Sequence, residues 1–260
     1  MPKVSLISYT KESELLVALA AKLCYSADRI SDLKKNFNKE NSEKFLNMLL
    51  ELGHESPLEH ASFTFAIENV SRALLAQITR HRIASFSVQS QRYVNEDNFS
   101  YVVPPEIEKS LDAKEEFVKA MKECKEHYLK LSSILSNIHK KNLIANGKSK
   151  SVASETARKM AIEDARFVLP NACTTKMFCT FNARSLMNFF KRRLCNRAQW
   201  EIRNLAILML KSVLKVAPIL FSKIGPSCVF DNCCEGKMSC GKQVDVKKFF
   251  LELATEKQNF

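Results

Sequence analysis

Arg80-His81-Arg82 sets three cationic or titratable side chains side by side. Three such neighbours repel one another, so folding alone does not favour them. An anion offsets that repulsion through charge-assisted, often bidentate, hydrogen bonds. A helix-like stretch, Arg72 to His81, precedes the run, and a strand-like stretch, Phe86 to Val94, follows it. On a strand, Ser90 and Arg92 share a face. A hydroxyl beside a guanidinium suits a phosphate; the plainer alternative is a basic surface patch.

Two further clusters could carry chemistry. Gly53-His54-Glu55-Ser56-Pro57-Leu58-Glu59-His60 places two histidines and two glutamates in eight residues. His and carboxylate are metal ligands, but the HExxH order is absent. The alternative is a polar loop with a capping Ser and a rigid Pro. The third cluster is Arg166, Asn182, Arg184, Asn188, Arg192, Arg193 and Arg197. On a helix, residues 184, 188 and 192 form one stripe, with Leu186, Met187, Phe190 and Leu194 on the other side. The stripe reads either as a solvated amphipathic face or as a ligand-binding face.

The surrounding patterns predict the elements that position these residues. Helices are expected over Lys11–Cys24, about Ser42–Leu52, Arg72–His81, Ser151–Phe167, Arg184–Cys195 and Glu201–Phe221. Strands are expected over Ser62–Val70, Phe86–Val94, Phe99–Val103 and Thr175–Phe181. A long helix from Glu106 to about Asn142 carries Phe117, Met121, Cys124, Tyr128, Leu131, Leu135 and Ile138 at alternating four-three spacing, a packing seam. Asn146-Gly147 marks the turn after it.

The chain has 260 residues, 46% hydrophobic and 26% charged, so a packed core is expected. The net charge of +12 draws nucleic acid, anionic membranes or phosphorylated small molecules alike. Leu205–Leu220 is interrupted by Lys211 and Lys215, and the N-terminus has no signal-peptide core, so a cytoplasmic protein with no membrane partner is expected. The nine cysteines then read as thiols. There is no GxGxxG and no Walker A loop, which disfavours Rossmann and P-loop sites.

Taken together, these segments resemble a family. Arg80-His81-Arg82, seven residues, then Ser90 reproduces the RHR-x7-S signature of flavin-dependent thymidylate synthases. His54-Glu55-Ser56-Pro57-Leu58-Glu59-His60 is similar to that family's HE[TS]PxEH segment. Ala165-Arg166-Phe167-Val168-Leu169-Pro170 resembles its ARxVLP segment. Asn182 to Phe189, Arg193 and Ala198-Gln199-Trp200-Glu201-Ile202 resemble its NARSLMNF…R…AQWEI block. The match runs in order over roughly residues 10 to 220.

The resemblance implies methylation of dUMP to dTMP, with methylenetetrahydrofolate as carbon donor and NADPH as reductant through FAD. The expected fold is α/β: a mixed, mainly antiparallel sheet flanked by long helices, one domain assembling as a homotetramer with shared active sites. Residues 1–222 would form the synthase domain and 223–260 a cysteine-rich tail. Carried over by motif, His54, Ser56, Glu59, Arg80, His81, Arg82, Asn182, Arg184 and Asn188 fall at flavin positions. Gln77, Ser90, Gln91, Arg92, Arg166 and Arg193 fall at nucleotide positions. Ser90 and Arg92 would hold the phosphate. Arg166 and Arg193 would face the uracil as the catalytic pair, stabilising negative charge on the ring. No cysteine nucleophile is implied.

The chain departs from the family at Val88, where Glu is often found, at Arg197, where His is common, and at Arg192, where an apolar residue is usual. Cys228, Cys233, Cys234 and Cys240 cluster in the tail, but two adjacent cysteines and no CxxC make poor zinc spacing, so no metal is expected and the tail reads as exposed and reduced. The rival reading is a basic nucleic-acid-binding protein, or a flavoenzyme that methylates uracil in RNA. The ordered placement of the basic residues favours mononucleotide, folate and dinucleotide ligands over nucleic acid.

Overall fold

The computed structural model describes residues 2–36, 39–230, 233 and 235–255. In chain order the elements are β1 (Lys3–Tyr9), α1 (Ser13–Leu23), α2 (Ile30–Asn36), α3 (Lys39–Glu51), β2 (Ser62–Ser71), α4 (Arg72–Ile78), β3 (Ala84–Val88), α5 (Pro105–Glu108), α6 (Leu111–Ala145), α7 (Lys150–Ala165), β4 (Thr174–Asn182), α8 (Ala183–Arg193), α9 (Trp200–Val213), α10 (Pro218–Phe221), α11 (Ser227–Phe230) and α12 (Gln243–Thr255). Short 3-10 turns cover Ser56–His60, Arg166–Val168 and Gly236–Met238. The chain divides into a smaller unit, residues 69–75 and 88–176, and a larger one, residues 2–68, 76–87 and 177–260.

The larger unit is built on the sheet, whose strand order is β1-β2-β4-β3. β1 runs antiparallel to β2, from Lys3 opposite Glu68 to Tyr9 opposite Phe63, with an irregularity between Leu6 and Ser8. Alternation places Phe63, Phe65 and Ile67 of β2 and Met177, Cys179 and Phe181 of β4 in the core. Aromatic rings continue that core: Phe63 meets Phe221 edge-on at 5.3 Å, and Phe190, Phe189 and Phe181 follow at 5.6–6.0 Å. The expected strand over residues 62–70 is present as β2. β1 was not anticipated: its burial is weak, so only pairing with β2 marks it as a strand.

Helix α9 ends at Val213, so the expected helix to Phe221 is two helices. Pro218 cannot continue a helix and instead starts α10. Glu14 of α1 accepts from the Ile219 (2.6 Å) and Leu220 (3.1 Å) amides, satisfying donors that α10 cannot satisfy itself. The tail is not exposed throughout: Cys228, Val229, Val246, Phe250 and Leu253 are buried, and α11 packs on α12.

In the smaller unit α6 packs along α7. Ala153, Ala157, Ala161 and Ala165 recur every fourth residue on α7 and are all buried. Of the predicted α6 seam, Met121 and Tyr128 are buried, while Ile138 is half exposed. Tyr128 forms a cluster with Ile162 and Ala165. Its hydroxyl donates to Asn95 Oδ1 (3.0 Å) and accepts from the Glu96 amide (3.3 Å). The expected helix from Glu106 is interrupted, because Ser110 caps α6 by accepting from the Ala113 amide (3.3 Å). Gly147 has φ +82°, which lets the chain turn between α6 and α7.

Two strand expectations are corrected in this unit. β3 ends at Val88, and residues 91–94 form a turn. Ser90 Oγ accepts from the Arg92 amide (3.2 Å) and Ser90 O from the Val94 amide (3.1 Å), so local bonds replace a ladder. Ser90 and Arg92 therefore meet through a turn rather than on one strand face. Residues 99–103 contribute only the isolated bridge Tyr101–Cys173.

Candidate active site

In the larger unit, α8 begins where Asn182 Oδ1 accepts from the Ser185 amide (2.8 Å). The Ala183 amide donates to Ala61 O (2.7 Å), which ties this start to the 3-10 turn Ser56–His60. Arg184 thereby reaches that turn and donates to Glu55 Oε2 (3.1 Å) and Glu59 Oε1 (2.7 Å). Both carboxylates hold its guanidinium charge, which raises its pKa. Gly53 at φ +70° releases the chain from α3 toward His54. His54 stacks on Tyr25 with ring centres 6.4 Å apart, its Nδ1 3.3 Å from the Tyr25 hydroxyl.

At the other end of α8, Arg193 turns toward the segment after α4. Its Nε donates to His81 Nε2 (3.2 Å) and its Nη2 to Gln77 O (3.3 Å). An Nε2 that accepts carries no proton, so this contact fits a neutral imidazole protonated on Nδ1. Burial, then the charges of Arg193 and Arg192, lower the His81 pKa from 6.5 to about 4. Burial, Arg192 and Arg80 also lower that of Arg193. The His81 ring meets Phe189 edge-on at 5.0 Å. Arg192 donates to Asn188 Oδ1 (3.3 Å), as the predicted stripe requires. Phe189, rather than Met187, completes the buried side of α8; Met187 faces a cavity.

That cavity measures about 1000 Å³. His54 and Glu59 line it from the segment before β2, and Arg80, His81 and Arg82 from the segment before β3. Arg184, Asn188 and Arg193 line it from α8. Its volume is at the upper end for ligand cavities. Lining Arg and Lys outnumber lining Glu by seven to three. A long anionic ligand with phosphates and planar rings, such as FAD, fits this donor set. Three predicted residues of the larger unit do not line it. Asn182 caps α8, Gln77 supplies a backbone acceptor to Arg193, and Ser56 is exposed in the 3-10 turn.

The remaining predicted residues belong to the smaller unit. Arg92 Nε pairs with Glu163 Oε1 at 2.6 Å, and Arg166 Nε donates to Glu163 O (3.0 Å). Ser90, Arg92 and Arg166 are thus gathered about the end of α7. Gln91 is buried, and its Nε2 has no hydrogen-bond partner among the described residues. Glu163 was not singled out from the sequence, although it lies one helical turn before Arg166.

Burial raises the Cys173 and Cys179 thiols to about 12, which makes them poor nucleophiles. Cys195, Cys228 and Cys233 line a second cavity of about 650 Å³ that shares Asn188, Arg192 and Arg193 with the first. Among the described residues no group of three or more His, Cys, Asp or Glu stands where it could hold a metal ion. Cys234 lies outside the described residues. No described helix is long and apolar enough to cross a membrane.

A family model described as "Thymidylate synthase complementing protein" matches residues 5–219. A flavin-dependent thymidylate synthase of Clostridium tetani is 53% identical over 249 residues, covering 96% of this chain and 97% of that protein. Proteins of the same name from Geobacter sulfurreducens and Nitratidesulfovibrio vulgaris are 43% and 42% identical, covering 97% and 93% of this chain and 99% and 95% of theirs. With an ordered set of signature segments, a family match over most of its length and relatives matched nearly end to end, the chain belongs to the thymidylate synthase complementing protein family, that of the flavin-dependent thymidylate synthases.

Proposed function

We propose that this chain is a flavin-dependent thymidylate synthase that methylates dUMP to dTMP, with methylenetetrahydrofolate as carbon donor and NADPH as reductant. It works as a cytoplasmic homotetramer, without nucleic acid or membrane as partner. FAD, when bound, carries the hydride from the reductant to the transferred carbon. The chain's own residues bind, orient and stabilise charge.

His54, Ser56, Glu59, Arg80, His81, Arg82, Asn182, Arg184 and Asn188 are assigned to the flavin. Arg80 and Arg82 would meet its phosphates, and the Glu55–Arg184–Glu59 bridge holds Arg184 against the turn Ser56–His60. Neutral His81 offers a hydrogen-bonding ring without adding to the surrounding positive charge. Gln77, Ser90, Gln91, Arg92, Arg166 and Arg193 are assigned to the nucleotide. Ser90 and Arg92 take the phosphate; the Arg92–Glu163 ion pair supports this, because the guanidinium already holds an anionic oxygen there. Arg166 and Arg193 stabilise the negative charge that makes the uracil carbon nucleophilic. The residues assigned here include no thiol.

The observation that carries this reading is the single cavity on which the 54–59 segment, Arg80-His81-Arg82 and α8 converge. A visible absorbance spectrum of the purified protein tests it, before and after anaerobic NADPH, with and without dUMP. The expected spectrum is that of a flavin, bleached by NADPH and altered by dUMP. A protein that cannot be loaded with FAD would sink the reading.

A further inference from the structure

The family model ends at residue 219, yet the walls of the cavity do not. Ile224, Pro226, Ser227 and Phe230 also line it, facing the same space as Arg82 and Asn188. Phe230 is the only Phe, Tyr or Trp among the lining residues. It is 43% exposed, while its neighbours Cys228 and Val229 are buried. What sets it apart from other exposed rings such as Phe167 and Phe178 is its place on the wall of a cation-rich cavity. A planar ring system stacked on it would remove its apolar surface from water.

The tail is held so that this wall keeps its shape. Gly225 sits against α11, where an added Cβ would lie 3.0 Å from Val229 Cγ2 and 3.5 Å from the Phe250 ring. Gln243 Nε2 of α12 donates to Cys228 O (3.1 Å), which fixes α11 from one side. Farther along the tail, Arg197 Nη1 donates to Met238 O in the turn Gly236–Met238, tying the segment after α8 to the tail. Arg197, one of the departures from the family pattern, thus has a role as a clamp. Val229, Val246, Phe250 and Leu253 supply the apolar anchor beneath.

We infer that residues 224–230 are a wall of the cofactor site and that Phe230 is a stacking platform for a planar ring of the bound dinucleotide, positioned by the Arg197 and Gln243 clamps. This rests on the flavin reading above. The test is FAD titration of the apoprotein, followed by flavin fluorescence, with wild type, Phe230→Ala, Phe230→Trp and Arg197→Ala, each checked for folding by circular dichroism. Half exposure of Phe230 means that its replacement leaves the core intact. Phe230→Ala is expected to weaken FAD binding about tenfold, Phe230→Trp to restore it, and Arg197→Ala to weaken it in the same direction. Folded Phe230→Ala with wild-type FAD affinity would overturn the inference while leaving the flavin reading intact. A wild-type protein that takes up no FAD would overturn that reading and this inference with it.

Discussion

His81 has the most distinctive electrostatics of the candidate site. It is surrounded by arginines yet accepts a hydrogen bond from one of them, which only a neutral ring can do. Its pKa falls from 6.5 to about 4, so between those values the unfolded chain binds a proton that the native chain refuses. Stability therefore rises with pH across that window and is lost as pH falls from 6.5 toward 4. The thermal unfolding midpoint of wild type should drop over this range, and that of His81→Asn should drop less. Parallel midpoint curves for the two proteins would mean that native His81 titrates normally. The crowding of charge in Arg80-His81-Arg82 singled these residues out in the sequence, and all three line the cavity. That the central ring is neutral was not readable there, because Arg193 lies 112 residues away in sequence.

At the scale of elements, α6 and α7 form the framework of the smaller unit. Tyr128 is fully buried between them and bridges to Asn95 and Glu96. Tyr128→Ala would leave a cavity and orphan two partners, costing about 3–5 kcal/mol of unfolding free energy. Chemical denaturation would measure this; a loss under about 1 kcal/mol would show that the site collapses around the smaller residue. The helical spacing of α6 predicted Tyr128 as an inward residue. The break before α6 was not read, although Ser110 is a favoured cap, because the apolar period runs on through it. The turn at Ser90–Val94 was missed for a similar reason: alternation suggests a strand, while a hydroxyl bonded to its own backbone ends one.

For the whole molecule, positive charge bears on the proposed assembly. Net charge of +12 would disfavour association of bare subunits, and in the proposed homotetramer anionic ligands at shared sites would reduce that cost. Apolar side chains at Leu129, Ile134 and Ile138 on α6 and Val152 and Met160 on α7 stand about 39–51% exposed. Sedimentation velocity of the FAD-loaded protein should report a tetramer at micromolar concentration, and a monomer there would refute the homotetramer.

Sequence alone determined which family this chain belongs to and most of the helices and strands around its signature residues. These are local properties: motif spacing, charge crowding and apolar period all act over a few residues. Only tertiary structure decided the rest. It joined Glu55 and Glu59 to Arg184, set Arg193 on His81, and paired Arg92 with Glu163. It also turned a tail that reads as exposed and reduced into a packed wall carrying Phe230. Each of these joins residues far apart in the chain, and such a contact exists only once the sheet and helices between them have fixed a direction in space.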